Sequence, residues 1–261
     1  MLDSEVAVPG LASRLYSVWY RHMRVYTRNL ISNGLPPFLE PVIFLLGVGL
    51  GLGRYIAAMD GVSYLVFLAT ALPVTSAMFT SAYECTFGTF VRLEFQKSYD
   101  GMLAAPVTLA DVFIGELLWA GTKGLFFSSC VLVVMAGFGA VPLPMGLIVM
   151  PIGFCTGCMF GALSLLVTSM VRNINHFNFY FTGLLSPMFF FSGTVFPLAS
   201  LPRGLRPLAE LLPLTHVVRL ARDPVLSRFS AVLAADLAFV LIVTAVAAWA
   251  AIRRLSRRIL V

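Results

Sequence analysis

Six long apolar runs constrain this chain more than any other feature of its sequence. They cover residues 38–58, 64–83, 112–140, 147–171, 177–197 and 231–252. Each is close to the roughly 20 residues that an α-helix needs to cross the hydrocarbon layer of a bilayer. The chain is 59% hydrophobic and only 11% charged, which leaves too little polar surface for a soluble domain. We therefore predict an all-α membrane protein with six transmembrane helices.

The first 31 residues differ from the rest of the chain. Four arginines, at positions 14, 21, 24 and 28, alternate at helical spacing with aromatic and aliphatic residues. A signal peptide would need an apolar core that this segment lacks, whereas an amphipathic helix on a membrane surface shows this pattern. We predict an N-terminal interfacial helix within residues 1–31 and a single transmembrane domain over residues 32–258.

The distribution of basic residues predicts the orientation. If both termini are cytoplasmic, eleven of the 18 lysines and arginines fall on the inner side and six on the outer side, with Lys123 inside a span. Basic residues accumulate on the cytoplasmic side of membrane proteins, so we predict a multi-pass protein with both termini in the cytoplasm. The net charge of +6 then reflects topology and attraction to anionic membrane lipids, and no nucleic-acid partner is needed to explain it.

A polar stretch, RLEFQKSYDGMLAAPVTLADVFIGE at residues 92–116, separates the second and third apolar runs. Apolar residues recur there at intervals of three or four, which predicts one face of a helix; these are Val91, Phe95, Tyr99, Met102 and Leu103. Charged residues, among them Arg92, Lys97 and Asp100, occupy the remaining surface. The stretch is therefore expected to form an amphipathic helix on the cytoplasmic side.

Proline and a capping pair should bound this helix. Pro106 stops it, because the residue before a proline is disfavoured in the α region, and Thr108 with Asp111 resembles a capping box that starts the next helix. Two uses remain open for such a helix: a solvated surface helix, or a docking element for a cytoplasmic partner. In the second case the Pro106 elbow would pass the partner's movement to the third span.

Residues 198–230 form the other long polar segment. Prolines at 202, 207, 213 and 224 exclude a long helix, and they leave short amphipathic pieces at 205–212 and 215–222. We expect short helices at the outer interface, the second one capped by Thr215. Pro187 and Pro197 should kink or end the fifth span.

Two motifs of small residues indicate close helix packing. The run GVGLGLG at residues 47–53 lacks the spacing of a dinucleotide-binding loop, and its glycines instead form small-xxx-small pairs, within the chain or across a dimer. Cys155 and Cys158 form a CxxC pair inside an apolar span without a second metal-ligating pair. We interpret this pair as small residues at a helix contact and predict no metal site.

Ionisable residues inside spans mark functional candidates. Lys123 lies near the middle of the third span, with Glu116 on the same helical face, while Glu40 and Asp236 are other possible partners. A structural pair and a place in the substrate pathway both remain open for Lys123 and Glu116. Phe179 and Tyr180 are candidates for the same pathway, because aromatic rings stack on sugars, although they also populate membrane interfaces.

The sequence carries no catalytic motif. It has no GxxxxGK[ST] phosphate loop, no HExxH, no nucleophile elbow and no cluster of histidine, cysteine and carboxylate residues. We therefore predict a transport subunit without catalytic residues and without a cofactor of its own.

Two stretches resemble a known family. YDGMLAAPVTLADVFIGELLWAGTKG is similar to the cytoplasmic segment and following helix of ABC-2 type transport permeases, and the segment from LLSPMFFFSG to PLTHVVRLARDPVL is similar to their outer segment. The resemblance implies a dimeric six-span subunit whose helix near residues 91–105 docks a separate ATPase that holds ATP and Mg²⁺. Within the family, the chain resembles rhizobial members that export lipo-chitooligosaccharide signals, which implies an oligosaccharide or glycolipid cargo.

Other functions remain as alternatives at this level. An ABC-2 exporter of another cargo, such as a polysaccharide or a drug, would share both motifs. A secondary transporter without an ATPase would be driven by ion gradients and would depend on Lys123 and Glu116. A membrane-embedded transferase acting on lipid-linked sugar would need catalytic residues that the sequence does not offer.

Overall fold

The computed structural model of the protein describes residues 9–56 and 58–259, and within these ranges it is helical apart from turns, loops and one isolated bridge between Met59 and Val62. We number the helices in chain order as follows. They are α1 (Leu11–Thr27), α2 (Leu30–Gly53), α3 (Tyr64–Phe95), α4 (Ser98–Leu103), α5 (Leu109–Gly137), α6 (Leu143–Met170), α7 (177–191), α8 (Arg206–Glu210), α9 (Pro213–Val225) and α10 (Val232–Ile259).

Five of these helices are long and apolar enough to cross a membrane: α2, α3, α5, α6 and α10. They correspond to five of the six predicted spans, and the helical class is confirmed. The predicted fifth span, residues 177–197, forms the shorter helix α7, built of consecutive pieces of 4, 5 and 6 residues. A π-helical turn at Phe181–Leu185 precedes Pro187, since proline has no N–H to continue the regular hydrogen bonding.

The second span is longer than predicted. Helix α3 has 32 residues and continues beyond Tyr83 through two π-helical turns, Glu84–Gly88 and Val91–Phe95. The prediction that Val91 and Phe95 begin a separate cytoplasmic helix is therefore wrong. These residues belong to the end of a membrane helix, because the apolar pattern of α3 resumes with Phe87 and Phe90 after the single charge of Glu84.

Helices α3, α6 and α10 run in one direction and α5 in the opposite direction, which defines two ends of the bundle. The charged end contains the end of α3, all of α4, the start of α5 and the ends of α6 and α10. There, the guanidinium of Arg258 on α10 donates to the backbone carbonyls of Thr168 and Val171 at 2.9 and 2.7 Å, and it pairs with Glu94 on α3. Helices α8 and α9 lie at the opposite end. Helix α7 runs between the two ends beside α3.

Helices α5 and α6 pack with their backbones in contact. A Cβ atom on Gly124 would lie 2.4 Å from the carbonyl oxygen of Gly153, and one on Gly157 would lie 2.5 Å from that of Ala120. Cys158 places its Sγ against Gly121, so the interpretation of the CxxC pair as a helix contact is confirmed for this cysteine. Small residues at these positions let the two helices approach closely.

The glycine run of α2 packs only in part within the chain. A Cβ on Gly49 would lie 2.7 Å from Leu65 of α3, whereas Gly47, Gly51 and Gly53 have no described neighbour within 4 Å of the Cβ position. The run therefore contributes one intrachain contact and leaves the other three glycines on an open face of α2.

Buried Arg222 closes the opposite end of the bundle. Its guanidinium on α9 donates to the hydroxyl of Thr70 at 3.0 Å, to the carbonyl of Phe67 at 3.0 Å and to the carbonyl of Gly193 at 2.7 Å. The arginine of the PLTH…RD segment therefore ties α9 to α3 and to the loop after α7. Burial lowers the pKa of Arg222 to about 10, which still leaves it charged at pH 7.

The prediction that Thr215 caps a helix is wrong. Helix α9 begins at Pro213 after Leu212 as the N-cap residue, because proline suits the first helical position, where no N–H is needed. Thr215 lies inside the helix, and its buried hydroxyl donates to the carbonyl of Ala209 at 2.6 Å. The threonine thus joins α9 to α8.

A test of the α5–α6 contact follows from the glycines. The substitution Gly124→Ala should lower the free energy of unfolding by about 1–3 kcal/mol, because the added methyl overlaps a backbone carbonyl. Gly137→Ala, on the same helix but with no described atom within 4 Å of the Cβ position, is the matched control and should be neutral or slightly stabilising. Thermal unfolding of the purified proteins in detergent measures both; equal melting temperatures would exclude the tight contact.

Candidate coupling site at the charged end

Helices α3 and α5 exceed the thickness of a membrane. With 32 and 29 residues, they are longer than the roughly 20 residues that span the hydrocarbon layer. The charged residues of both helices lie between Glu84 and Glu94 on α3 and between Asp111 and Lys123 on α5. Packing of these helices brings several of the charges together.

Glu116 of α5 is the centre of the cluster. Its side chain is 1% exposed, and it accepts three hydrogen bonds: from the hydroxyl of Thr89 at 3.0 Å, from Nε of Arg92 at 3.0 Å and from the hydroxyl of Tyr99. A buried carboxylate is tolerated when paired and hydrogen-bonded in this way. Glu116 therefore joins α5 to both α3 and α4.

Glu84 of α3 is the second carboxylate. Arg92 donates from NH1 to its Oε1 at 2.7 Å, and Lys123 of α5 donates from Nζ to its Oε2 at 3.0 Å. Two carboxylates thus face two cations, and we call these residues, with Thr89 and Tyr99, the ion network. Of the two uses left open for Lys123 and Glu116, the structural pairing is present, but the lysine pairs with Glu84 on another helix.

Helix α1 packs lengthwise on the first half of α5. Arg14 pairs with Asp111 at 3.3 Å, Trp19 donates from Nε1 to the hydroxyl of Thr122 at 2.9 Å, and a Cβ on Gly115 would lie 2.6 Å from Val18. The contacts advance in parallel along both helices. The N-terminal helix is therefore part of the helix bundle along this side.

Residue His22 brings α1 into the ion network. It is 4% exposed, and its Nε2 lies 3.8 Å from Oε1 of Glu116. Burial lowers the pKa of His22 to about 4, although Glu116 acts in the opposite direction. The imidazole is therefore neutral at pH 7, and the two cations and two carboxylates balance each other.

The short helix α4 is anchored through Tyr99. Lys97 adopts a left-handed backbone conformation with φ of 51°, which ends α3 and turns the chain into α4. Tyr99 is 1% exposed, and burial together with the charge of Glu116 raises its pKa well above the ordinary value, so its hydroxyl keeps the proton that it donates. The predicted continuous helix through residues 91–105 is wrong, because the chain breaks at Lys97 to bring this ring inside.

The remaining residues of the predicted coupling segment lie around this anchor. Phe95 is 67% exposed, and Asp100 and Pro106 are exposed as well. Met102 and Leu103 are half-buried against the apolar cluster at the start of α5. The predicted capping box is confirmed: Asp111 N–H donates to the Thr108 hydroxyl, and Thr108 N–H donates to the Asp111 carboxylate.

Other predicted pathway residues lie elsewhere. Phe179 and Tyr180 are on α7 and take no part in the ion network; Phe179 is 76% exposed, and the Tyr180 hydroxyl bonds that of Ser164 at 3.1 Å. Asp236, considered as a partner for Lys123, instead pairs at the opposite end with His216 at 2.7 Å and with Arg219 at 2.8 Å.

Three residues of the cluster were missed by sequence reasoning. Glu84 was excluded because the predicted span ended at Tyr83, although an acidic residue following a membrane helix is itself a signal for a partner. Thr89 and His22 carry no distinguishing sequence pattern. Their place in the cluster depends on how α1, α3 and α5 pack.

An open cleft of about 540 Å³ borders the ion network between α1, α3 and α5. Arg21, His22, Glu84, Arg92 and Lys123 all line it. The charged groups are held by one another, and no group of residues suited to a metal ion occurs among residues 9–56 and 58–259. This arrangement is suited to joining helices that move together.

Comparison with known proteins identifies the class. The family model of the ABC-2 type transporter matches residues 13–226, and the chain belongs to this family. It is a membrane permease subunit of an ABC exporter.

Several relatives agree with this family assignment. Nodulation protein J of Sinorhizobium fredii is 36% identical over 212 residues, which are 81% of either chain. Nodulation protein J of Bradyrhizobium diazoefficiens is 32% identical over 85% of this chain and 84% of its own. The inner membrane transport permease YadH of Escherichia coli is 23% identical over 78% of this chain and 79% of its own.

A test of the ion network removes its shared cation. Arg92→Met leaves two buried carboxylates with one cation and should lower the free energy of unfolding by about 3–5 kcal/mol. Arg228→Met is the control, because Arg228 pairs with Asp60 where both side chains are more than 40% exposed, and it should cost at most about 1 kcal/mol. Similar losses in thermal unfolding would contradict the central role of Arg92.

A second test uses the pH dependence of stability. The pKa of His22 is about 4 in the folded chain against an ordinary 6.5, so the unfolded chain takes up a proton first as the pH falls. The contribution of His22 is therefore complete above pH 6.5 and is lost towards pH 4, about 2 kcal/mol of it between pH 7 and 5. His22→Gln should flatten the profile of melting temperature against pH, whereas the exposed His176→Gln should leave it unchanged; two identical profiles would refute the assignment.

Proposed function

We propose that this permease exports a lipo-oligosaccharide of the lipo-chitooligosaccharide class. It would do so as a dimer, together with a cytoplasmic ABC ATPase related to nodulation protein I, the ATPase of the rhizobial exporters that the sequence resembles. The single observation that carries the coupling part of this proposal is that Phe95 is exposed and Tyr99 is buried, on either side of the break at Lys97. One of these rings can be reached by a partner, and the other is tied to α5.

The charged end faces the cytoplasm in this proposal. The excess of basic residues on the side of the termini supports that orientation, and the relative from Escherichia coli carries the words inner membrane in its name. With this orientation α4, Phe95 and the cleft beside α1 meet the ATPase side. The protein is then a multi-pass protein of the bacterial inner membrane with both termini inside.

Movement would pass from the ATPase to the spans in three contacts. An ATPase that binds at Phe95 and the exposed surface of α4, including Lys97 and Asp100, shifts α4 as a unit. Tyr99 then pulls on Glu116 of α5. Arg92, which pairs with Glu116, and Glu84 then transmit the shift to α3. Lys123, which pairs with Glu84, transmits it back to α5 at a position farther along that helix than Glu116. ATP and Mg²⁺ belong to the ATPase, and the permease needs no cofactor of its own.

The open face of α2 supports dimerisation. Gly47, Gly51 and Gly53 have no described neighbour close to their Cβ positions, and Gly47 and Gly51 are spaced for a close helix crossing. The large apolar side chains of Ile43 and Leu50 are exposed on the same helix. We propose that this face meets α2 or another helix of a second copy.

The assignment of the cargo is based on the similarity to the nodulation proteins. Several relatives at 31–36% identity carry the name nodulation protein J, and the rhizobial exporters of the resemblance carry lipo-chitooligosaccharides. Export of a polysaccharide or a drug by the same mechanism is the alternative outcome of the transport assay.

Two substitutions separate docking from coupling. Phe95→Asp should weaken binding of the ATPase, because it replaces an exposed apolar contact with a charge. Tyr99→Phe keeps the buried ring but loses the hydrogen bond to Glu116, so it should leave binding intact while lowering ATP-driven export several-fold. Pull-down of the ATPase and export into the medium measure the two effects separately.

The matched control is Phe229→Asp, since Phe229 is equally exposed, at 66%, but lies at the opposite end. It should leave ATPase binding unchanged. Normal ATPase binding by Phe95→Asp, or normal export by Tyr99→Phe, would reject the respective step of the proposed pathway.

A further inference from the structure

A small pocket lies away from the ion network, between α2, α3 and α7. It has a volume of about 170 Å³, below the roughly 300–1,000 Å³ of pockets that hold whole drug-sized ligands. The walls come from Glu40 and Phe44 of α2, Ser76 and Phe79 of α3 and Phe189 of α7. Ser76 and Phe79 lie 12 and 15 positions after the start of α3 at Tyr64, or about 18–22 Å along the helix axis, so the pocket lies within the membrane span.

Glu40 is the unusual member of this wall. It lies inside the apolar helix α2, its side chain is exposed, and it is absent from the ion pairs and hydrogen bonds found between described residues. An ionisable group at this depth is expensive unless it meets water or a partner, and it marks a functional position by default. The structure thus directs one unpaired carboxylate of the described part of the chain into a pocket.

Phenylalanine rings form the rest of the wall. Phe189 packs against Phe44 and Phe79 with ring centroids 6.3 and 6.2 Å apart, and Phe190 lies edge-on to Phe189 at 5.2 Å. Thr75, Ser76 and Ser186 also line the pocket. The hydroxyls of Thr75 and Ser186 donate to the carbonyls of Leu72 and Phe181, both at 3.0 Å, so their oxygens can still accept a hydrogen bond. The pocket therefore combines apolar ring faces with hydroxyl and carboxylate oxygens that accept hydrogen bonds.

We propose that this pocket is a cargo subsite that binds one sugar ring. The apolar face of the ring stacks on Phe79 and Phe189, and Glu40 accepts hydrogen bonds from the sugar hydroxyls. The volume suits a single ring rather than a chain, so a longer glycan passes the subsite one unit at a time. This inference rests on the proposed saccharide cargo and locates where the permease contacts it.

An organic cation is the competing ligand for aromatic rings beside a carboxylate. The hydroxyl oxygens favour the sugar, because a sugar supplies hydroxyl donors for them, whereas a cation uses only the rings and the charge. The two ligands respond differently to loss of the charge. A sugar hydroxyl can still donate to the amide oxygen of a glutamine at position 40, but a cation cannot replace its counter-charge.

The experiment measures binding of N-acetylchitotetraose to the purified full-length chain in phospholipid nanodiscs by saturation-transfer NMR. Glu40→Ala should weaken binding about tenfold, as for the loss of a hydrogen bond to a charged group, while Glu40→Gln should retain most of the affinity. Phe79→Leu should weaken binding about threefold through loss of stacking. Glu210→Ala and Phe229→Leu, exposed residues outside the pocket, are matched controls and should bind like the unsubstituted protein.

Three outcomes overturn the proposal. The first is unchanged binding in both Glu40→Ala and Phe79→Leu. The second is absence of saccharide binding to the unsubstituted chain. The third is binding of tetraphenylphosphonium that Glu40→Gln and Glu40→Ala abolish alike, which assigns the pocket to cations.

Export assays in vesicles with the ATPase separate this inference from the proposed function. If the unsubstituted protein exports lipo-chitooligosaccharide and Glu40→Ala exports it equally well, only the subsite is wrong. If the unsubstituted protein exports a polysaccharide but not this glycolipid, the cargo assignment is wrong, and the subsite is upheld when Glu40→Ala lowers that export. If it exports only a drug, both proposals are wrong.

Discussion

The charged end of the bundle depends on two carboxylates and two cations that meet between α3 and α5. Removing charges from water costs more than an incomplete pairing returns, so Glu84, Arg92, Glu116 and Lys123 are stable there only in one mutual arrangement. Each belongs to α3 or α5, Tyr99 bonds α4 to Glu116, and His22 places α1 beside the same carboxylate. A displacement of any of these helices disturbs the whole network. This property suits a segment that transmits movement.

The network can form only because the helices approach closely and in one register. The glycine contacts of α5 with α6 bring backbones together, and two hydroxyl bonds fix α3 against α5: from Ser81 to the carbonyl of Ala120 at 3.1 Å and from Ser128 to that of Pro73 at 2.9 Å. Arg222 closes the opposite end by bonding three groups at once. At each end of the bundle, therefore, a buried cation forms hydrogen bonds with groups on several helices or loops. The opposite end does so with carbonyls and a hydroxyl in place of carboxylates.

Local structure was predictable from the sequence where neighbouring residues decide the backbone conformation. The capping box of Thr108 and Asp111 needs only residues three apart, and the long spans follow from their apolar length. The prediction of a continuous helix through residues 91–105 was wrong, although the periodicity of its apolar residues is present. The chain makes a left-handed turn at Lys97, and this turn allows Tyr99 to be buried against Glu116. The prediction that Thr215 caps a helix was wrong for a related reason. Its hydroxyl bonds a carbonyl of α8, a partner that no pattern around position 215 reveals.

By itself the sequence determined the membrane class, the helical composition, the place of the polar stretch and the family, since these depend on apolar length, spacing and motif. Only the tertiary structure decided the partners: Lys123 with Glu84, Tyr99 with Glu116 and Asp236 with His216. The physical reason is that a buried charge is paired with, or hydrogen-bonded by, whatever group the packing brings within about 3–4 Å. In these three pairs the distance along the chain is 39, 17 and 20 residues, far beyond the three or four residues over which helical periodicity carries information.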